Sequence, residues 1–183
     1  MNSRTPAAWG QPGTAGRAGA PQAIRVPDAV AALLVGGAEV GTRDQAFPFI
    51  TVDDDGFPHA ALLSRTELEV GPGNADLRAA VRSRHTRVNL EARGRAVLIA
   101  VAGDTAHYVK LRLVRPVAVG DLLACVFELV EHKPDSLGVA LEPILYAVTA
   151  EIARAERWDE TVAALGALDG AAENSAPEEE VGP

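Results

Sequence analysis

The segment from Arg82 to Leu90, RSRHTRVNL, carries three arginines and a histidine in nine residues. The whole chain is acidic, with a formal net charge of -8. From residue 78 to residue 95 there are six arginines and one acid, which gives this stretch a local charge of +5. Guanidinium groups bind phosphate oxygens through paired hydrogen bonds. The segment therefore has two interpretations, a phosphate site and a solvated helix surface.

The same segment contains the signals of a helix start. Ser83 or Thr86 can cap a helix that runs through NLEAR and ends at Gly94. The free N–H groups of the first turn would then face an anion placed at the helix start. The side chains that could join them are Ser83, Arg84, His85, Arg87 and, from the strand before, Arg78. Spacing alone leaves the phosphate site and the solvated surface equally open.

Alternating apolar residues and turn signals predict the strands that must position this helix. AFPFITV and FPHAALLSRTELEV surround an Asp-Gly pair, which is typical of a tight hairpin turn. Further strands are predicted in ADLRAAV, RAVLIAVAG, AHYVKLRLVRPVAV and DLLACVFELVEHK. Five or six antiparallel strands with helices at both ends predict a small closed or half-closed barrel.

Helices are predicted on both sides of these strands. PDAVAALLVGG, residues 27–37, has a proline at its start and a double glycine at its end. ILYAVTAEIARAERWDETVAALGAL has apolar residues at helical spacing, including Trp158, Val162 and Leu165, and predicts one or two C-terminal helices. The folded body is expected at 27–169, after a disordered lead-in at 1–26 and before an acidic disordered tail at 170–183.

Composition narrows the class of protein. A pI near 5.0 argues against a general nucleic-acid binder. Neither an apolar run long enough to span a membrane nor a secretory signal is found, so a cytoplasmic protein is expected. The single cysteine, Cys125, lies in an apolar run and is interpreted as a buried structural thiol.

Other chemistries find little support in the residue spacing. The acidic turn DDDG resembles a calcium loop, but Leu62 stands where the loop would need its glutamate. Ser64 and Ser83 lack the glycine-flanked turn of a nucleophilic serine. The four histidines show no zinc-binding spacing, so no metal site is expected.

The order of these motifs resembles the pyridoxamine 5'-phosphate oxidase-like superfamily, the flavin-binding split β-barrels. The resemblance rests on TVDDDGFPHAALLS, a third strand, SRHTRVNL, a further strand and AHYVKLRLVRPV, and it covers about half of the chain, roughly residues 45–135. It implies a mostly β fold, a six-stranded antiparallel split β-barrel with flanking helices. It also implies a homodimer that holds flavin mononucleotide (FMN) in the clefts between its subunits.

The resemblance also implies roles for individual residues. The phosphate cluster corresponds to Ser83, Arg84 and His85, with Arg78 and Arg87 as additional charges, and positions near the flavin correspond to His59, Leu63 and Ser64. Strand residues from Tyr108 to Arg112, including Lys110, correspond to positions that reach the cofactor of the partner subunit. The chain departs from the pattern at His85, where lysine is common, at Ala79, which lacks a hydroxyl group, and at Leu111, where glycine is common.

The leading functional hypothesis is an FMN-dependent oxidoreductase that acts on an unidentified small organic substrate, with no nucleic-acid or membrane partner. A deazaflavin could replace FMN. A second hypothesis is a haem binder in which His59, His85 or His107 supplies the axial ligand. A third is a non-catalytic split-barrel protein, which the departures at Ala79 and His85 favour.

Overall fold

The computed structural model describes residues 24–173, and describes side chains as far as residue 169. Residues 1–23 of the predicted lead-in (1–26) and residues 174–183 of the predicted tail (170–183) lie outside the described residues. Val26, the last residue of the predicted lead-in, is 2% exposed and belongs to the main core. The helices are α1 (Asp28–Leu33), α2 (Arg84–Arg93), α3 (Ala150–Ala155) and α4 (Trp158–Glu173). The strands are β1 (Arg43–Gln45), β2 (Phe47–Val52), β3 (Pro58–Leu63), β4 (Leu68–Val70), β5 (Leu77–Val81), β6 (Arg95–Ala102), β7 (Thr105–Val119), β8 (Leu122–Ser136) and β9 (Leu145–Ala147).

Seven strands form one curled antiparallel sheet in the order β3-β2-β6-β7-β8-β5-β4. This arrangement confirms the predicted mostly β, half-closed antiparallel barrel. The sheet has one strand more than the predicted six because the chain breaks after β3. A short 3-10 turn, Arg65–Glu67, separates β3 from β4, whereas the sequence pattern predicted one continuous strand there. Strands β1 and β9 form a separate two-stranded sheet.

The β7–β8 hairpin connects the two halves of the sheet. Each of its strands has 15 residues, and the turn between them contains Gly120 in the left-handed conformation, with φ of 59°. Strand β7 also pairs with β6, while β8 also pairs with β5. The pairing register shifts at Lys110/Leu111 and at Leu113/Arg115. Such irregularities increase strand twist and bending, which lets a long hairpin serve both sides of a curled sheet.

Side chains from the inner sheet face form the main core. Phe49, Leu98, Val109 and Phe127 are all fully buried there, and the rings of Phe49 and Phe127 pack edge to face at 5.8 Å. Cys125 belongs to the same core, as the sequence predicted. The alternation of side chains along each strand explains why every second residue of β6 is buried.

Helix α4 covers part of the opposite face through a second cluster. Leu165 and Leu168 pack there against Ala80 of β5 and Leu122 of β8. Trp158 is also buried, but Val162 is exposed, so the predicted apolar helix face is narrower than expected. The prediction of a helix over the start of ILYAV is wrong, because Leu145–Ala147 form β9 and pair with β1.

The end of α2 offers a test of this local structure. Gly94 ends the helix with φ of 60°, and its N–H donates to the Leu90 carbonyl at 2.8 Å. Gly94→Ala should lower the free energy of unfolding by about 1–2 kcal/mol, because an L side chain is disfavoured in this conformation. The measurement is urea denaturation followed by circular dichroism.

Gly166 is the matched control. It lies within α4, and a Cβ added there would meet no atom within 4 Å. Gly166→Ala should therefore raise the free energy of unfolding by about 0.5–1 kcal/mol, since alanine is the better helix former. Equal effects of the two substitutions would contradict the assigned helix end.

Candidate functional site

The start of α2 forms a small group of polar donors. Ser83 is the N-cap, and its hydroxyl accepts a hydrogen bond from the Thr86 N–H at 3.4 Å, as predicted. The backbone N–H groups of Arg84 and His85 make no hydrogen bond with the described residues. Both side chains are exposed. Free N–H groups beside a cationic side chain are the arrangement that binds oxyanions at helix starts.

His59 lies against this helix start, although 26 residues separate it from His85 along the sequence. The two imidazole ring centres are 5.6 Å apart, with the ring planes at 63°. His59 is paired in register with Thr51 on β2, so both side chains point to the inner sheet face. The structure thus brings together four of the predicted site residues: His59, Ser83, Arg84 and His85.

A buried hydrogen bond holds α2 in this position. The Asn89 side-chain amide donates to Thr51 Oγ1 at 2.9 Å, and both residues are buried. Leu90, on the same helix, is fully buried in the main core. The helix therefore closes one end of the inner sheet face and cannot rotate without leaving buried polar groups unpaired. Sequence analysis did not single out Asn89 or Thr51.

The two other arginines of the Arg82–Leu90 segment, Arg82 and Arg87, are bound at the β7–β8 turn. Arg82 Nη1 forms an ion pair with Asp121 Oδ1 at 2.5 Å, and Arg87 Nη1 donates to the Asp121 carbonyl at 2.7 Å. Arg157 binds the other carboxylate oxygen of Asp121. The hydrogen bond from Arg82 is the main cause that lowers the pKa of Asp121. By contrast, Arg84 forms no ion pair within residues 24–169, which leaves it the charge available to a ligand.

Arg78 occupies a different environment from the one that its predicted phosphate role requires. Its guanidinium is buried beneath α4 and pairs with three carboxylates. The partners are Asp169 at 2.7 Å, Asp76 at 3.1 Å and Glu69 at 3.5 Å. A phosphate contact would require these pairs to break. Arg78 therefore acts as a cross-link between β5, β4 and α4.

Leu63 and Ser64 also lie apart from the helix start. Leu63 is buried in the main core, and Ser64 begins the 3-10 turn that follows β3. The Ser64 N–H and hydroxyl both donate to Glu67 Oε2, at 2.7 and 2.8 Å. Both residues line a cavity of about 210 Å³ between this turn, β9 and the C-terminal helices. The structure therefore separates this pair from His59.

Tyr108 and Lys110 lie on the outer face of the sheet, opposite the face that carries His59. Lys110 is in register with Val97 and binds Glu131 at 2.6 Å. Beside it lies an open cavity of about 380 Å³ with an apolar floor and a basic rim. The floor is formed by Ile50, Val52, Val97 and Val130, and the rim by Arg95, Lys110 and Arg112. Of this region, Tyr108, Lys110 and Arg112 were predicted. The alternating apolar and basic residues of β6 and β7 were the available signal for the others.

A second pair of histidines lies on β7 and β8. His107 Nδ1 and His132 Nε2 are 2.9 Å apart, and the rings are stacked with centres 5.2 Å apart. Burial of His107, with the charge of His132 as a smaller cause, lowers the pKa of His107. Within the described part of the chain, no three histidine, cysteine or acidic side chains cluster as a metal ion would require.

None of the helices among the described residues is long and apolar enough to cross a membrane.

Comparisons with known proteins give structural neighbours only. No protein-family model and no curated protein matches the chain. Similar solved structures include an F420 reductase (15% identity, TM-score 0.44, 59% of this chain and 98% of that chain). Another is the styrene monooxygenase flavin reductase SMOB from Pseudomonas putida S12 (8% identity, TM-score 0.46, 60% of this chain and 89% of that chain). A third is the flavin reductase PheA2 (9% identity, TM-score 0.43, 58% of this chain and 86% of that chain). The fold assignment rests on the strand order of this chain itself.

The buried carboxyl beside Ser64 gives a prediction of pH dependence. Burial raises the pKa of Glu67, against the lowering effect of its hydrogen bonds from Ser64. Because the folded state holds this proton more tightly than the unfolded state, stability should fall as pH rises from about 4.5 through the raised pKa.

Glu67→Gln removes that ionisation and keeps an oxygen that can accept from Ser64. The free energy of unfolding of this variant, measured by urea titration from pH 4 to pH 8, should fall less with rising pH than that of the wild type. Identical pH profiles would contradict a raised pKa of Glu67.

Proposed function

We propose that the protein is an FMN-dependent oxidoreductase of the pyridoxamine 5'-phosphate oxidase-like type, acting on a small organic substrate. The observation that carries the proposal is the start of α2. There an exposed Arg84, the Ser83 cap and free backbone N–H groups lie together at one helix end, and the rings of His85 and His59 are 5.6 Å apart beside them. This donor set fits a phosphate dianion, since it combines a guanidinium fork with a helix start.

The charge of the surroundings explains why Arg84 is the phosphate ligand rather than its neighbours. Arg82 and Arg87 are bound at Asp121, and Arg78 is bound by three carboxylates. These arginines hold the barrel, the β7–β8 turn and α4 together, whereas Arg84 retains its full donor capacity. His85, which is exposed beside Arg84, offers a further hydrogen-bond donor at the same helix start.

The rest of the cofactor requires an apolar surface with nearby cations. The open cavity on the outer sheet face offers such a surface, with Val97 and Val130 on its floor and Arg95 on its rim. It lies on the opposite face of the sheet from His59, so one chain cannot present both halves of the site to one ligand. A homodimer solves this problem, because it can place the outer face of one copy beside the α2 start of the other.

The chemistry of the proposed reaction belongs to the cofactor, whose isoalloxazine ring accepts or donates hydride. The chain supplies binding and orientation: Ser83 and Arg84 fix the phosphate, and the apolar outer face excludes water from the ring. The cationic rim of Arg95, Lys110 and Arg112 favours negative charge at this face.

A flavin titration with a matched control tests the phosphate assignment. Arg84→Ala should weaken FMN binding by about 1.5–3 kcal/mol, the contribution of a hydrogen bond to a charged group. Riboflavin, which lacks the phosphate, should bind the wild type and Arg84→Ala equally. Arg93→Ala, at the other end of the same helix, should leave FMN binding unchanged. The measurement is quenching of flavin fluorescence.

An FMN affinity that is the same in Arg84→Ala and in the wild type would reject the phosphate site. The visible spectrum of the isolated protein tests the cofactor itself. Flavin bands support the proposal, whereas a Soret band that is lost in His59→Ala or His85→Ala would support the haem hypothesis. The absence of binding at tens of micromolar flavin would leave the non-catalytic hypothesis as the better one.

The dimer is tested on the outer sheet face. Val130 is 41% exposed and lies on the floor of the open cavity. Val130→Glu should convert a dimer to a monomer in sedimentation and lower FMN affinity at least tenfold, because a carboxylate would be buried against the partner. Val139→Glu is the control, since Val139 is 59% exposed in the loop between β8 and β9. A wild-type protein that sediments as a monomer at high concentration would refute the arrangement.

A further inference from the structure

The cavity beside Ser64 is a second site with its own chemistry, and we name it the helix-side cavity. It measures about 210 Å³ and lies between the 3-10 turn after β3, strand β9 and helices α3 and α4. Its polar lining is formed by Ser64, Glu67, Tyr146, Glu156 and Trp158. Leu63 and Ile152 contribute apolar walls.

The cavity is remote from the proposed phosphate site. Ser64 follows the last residue of β3, while His59 is near the first. Five residues of extended strand correspond to about 17 Å. A ligand in the helix-side cavity is therefore separate from a phosphate at the start of α2.

Two donors that line the helix-side cavity are buried and unpaired. Trp158 is 7% exposed, and its Nε1 atom has no hydrogen-bond partner among the described residues. The hydroxyl of Tyr146 is likewise buried without a partner. The Ser64 hydroxyl is near enough to lower the pKa of Tyr146, but the two oxygens do not meet the geometry of a hydrogen bond. Buried donors are almost always satisfied in folded proteins, so these two require an occupant that accepts hydrogen bonds.

The other side of the cavity is acidic. Glu67 accepts both Ser64 hydrogen bonds through Oε2, and Oε1 accepts none from the described residues. Burial is the main cause that raises the pKa of Glu67, and the nearby charge of Glu156 adds to it. Burial, followed by the charge of Asp44, raises the pKa of Tyr146 to about 12. The nearby cations Arg82 and Arg65 are paired with Asp121 and Asp44. The carboxylates of Glu67 and Glu156 that line the cavity therefore favour a cation over an anion.

These two requirements define one class of ligand. The Trp158 N–H can only donate, so the occupant must carry an oxygen acceptor. The carboxylates of Glu67 and Glu156 favour a positively charged group on the ligand, and they would repel a ligand that carried a carboxylate. The volume corresponds to about seven water molecules at roughly 30 Å³ each, so the ligand is of fragment size. We propose that the helix-side cavity binds a small amino alcohol, which carries one amine group and one uncharged oxygen.

The proposal does not rest on the flavin function, and its test uses flavin-free protein. The probe is 2-amino-1-phenylethanol, followed by NMR through the indole N–H signal of Trp158, which Trp158→Phe assigns. The probe should shift this signal in a saturable manner at millimolar concentration. Two matched probes each remove one group: 1-phenylethanol lacks the amine and 2-phenylethylamine lacks the hydroxyl. Each should bind at least fivefold more weakly than the amino alcohol.

The two tyrosines of the chain provide matched variants. Tyr146→Phe removes only the unpaired hydroxyl, so the fold should persist while binding of the amino alcohol weakens at least fivefold. Tyr108→Phe, on the outer face of β7, should leave the affinity unchanged. Glu67→Gln should weaken binding of both amines and have no effect on 1-phenylethanol.

Three results would overturn the proposal. They are an unshifted Trp158 signal at tens of millimolar probe, equal affinities for all three probes, and equal affinities of Tyr146→Phe and Tyr108→Phe. A crystal structure grown with the probe that shows only ordered water in the cavity would also overturn the proposal. FMN binding is measured separately at Arg84, so failure here and failure of the flavin function are distinguishable.

Discussion

The long hairpin of β7 and β8 is the constraint on which the remaining structure depends. It pairs with β6 on one side and with β5 on the other, so both halves of the curled sheet are attached to it. Its two register shifts fall midway, where the strands must bend. Asp121, at the hairpin turn, binds Arg82 and Arg157 and fixes the start of α2 and the C-terminal region relative to the sheet. The hairpin also lines the open cavity on the outer sheet face, through Lys110, Arg112 and Val130.

Helix α2 shows how one buried hydrogen bond supports a site without entering it. Asn89 and Thr51 are both buried, and their pairing holds the helix across the end of β2 and β3. This hydrogen bond thereby positions the start of α2, about one helical turn earlier, where Arg84 and His85 are exposed beside His59. Substitution of Asn89 would therefore affect ligand binding through position rather than through contact.

Local signals in the sequence predicted the local structure well. The Ser83 cap and the Gly94 helix end each depend on a few adjacent residues, and both are present. The predicted β2–β3 hairpin also forms, but a five-residue loop, 53–57, joins its strands in place of a tight Asp-Gly turn. Short apolar runs were harder to interpret: Leu145–Ala147 form a strand because β1 is available as a partner, which no local pattern reveals. The break after β3, by contrast, had a local signal that the sequence analysis missed, because Ser64 and Glu67 form a capping box of the S-x-x-E type.

The charged residues show most clearly which features could not be predicted from the sequence. Six arginines in one segment look alike in the sequence, and only the tertiary fold separates them. Arg78 is bound by Asp169, 91 positions further along the chain, whereas Arg84 has no such partner among the described residues. The unpaired Tyr146 and Trp158 were equally beyond sequence reasoning, because an unsatisfied donor is recognised only when all its neighbours are known.

The buried cysteine has a practical meaning for work in solution. Cys125 is the single cysteine of the chain, and burial raises its pKa to about 12, so almost none of it is thiolate at neutral pH. The native protein should therefore not react with thiol-directed reagents. One new cysteine at an exposed position would be the sole reactive thiol, which permits a spectroscopic label at a chosen point with the natural core left intact.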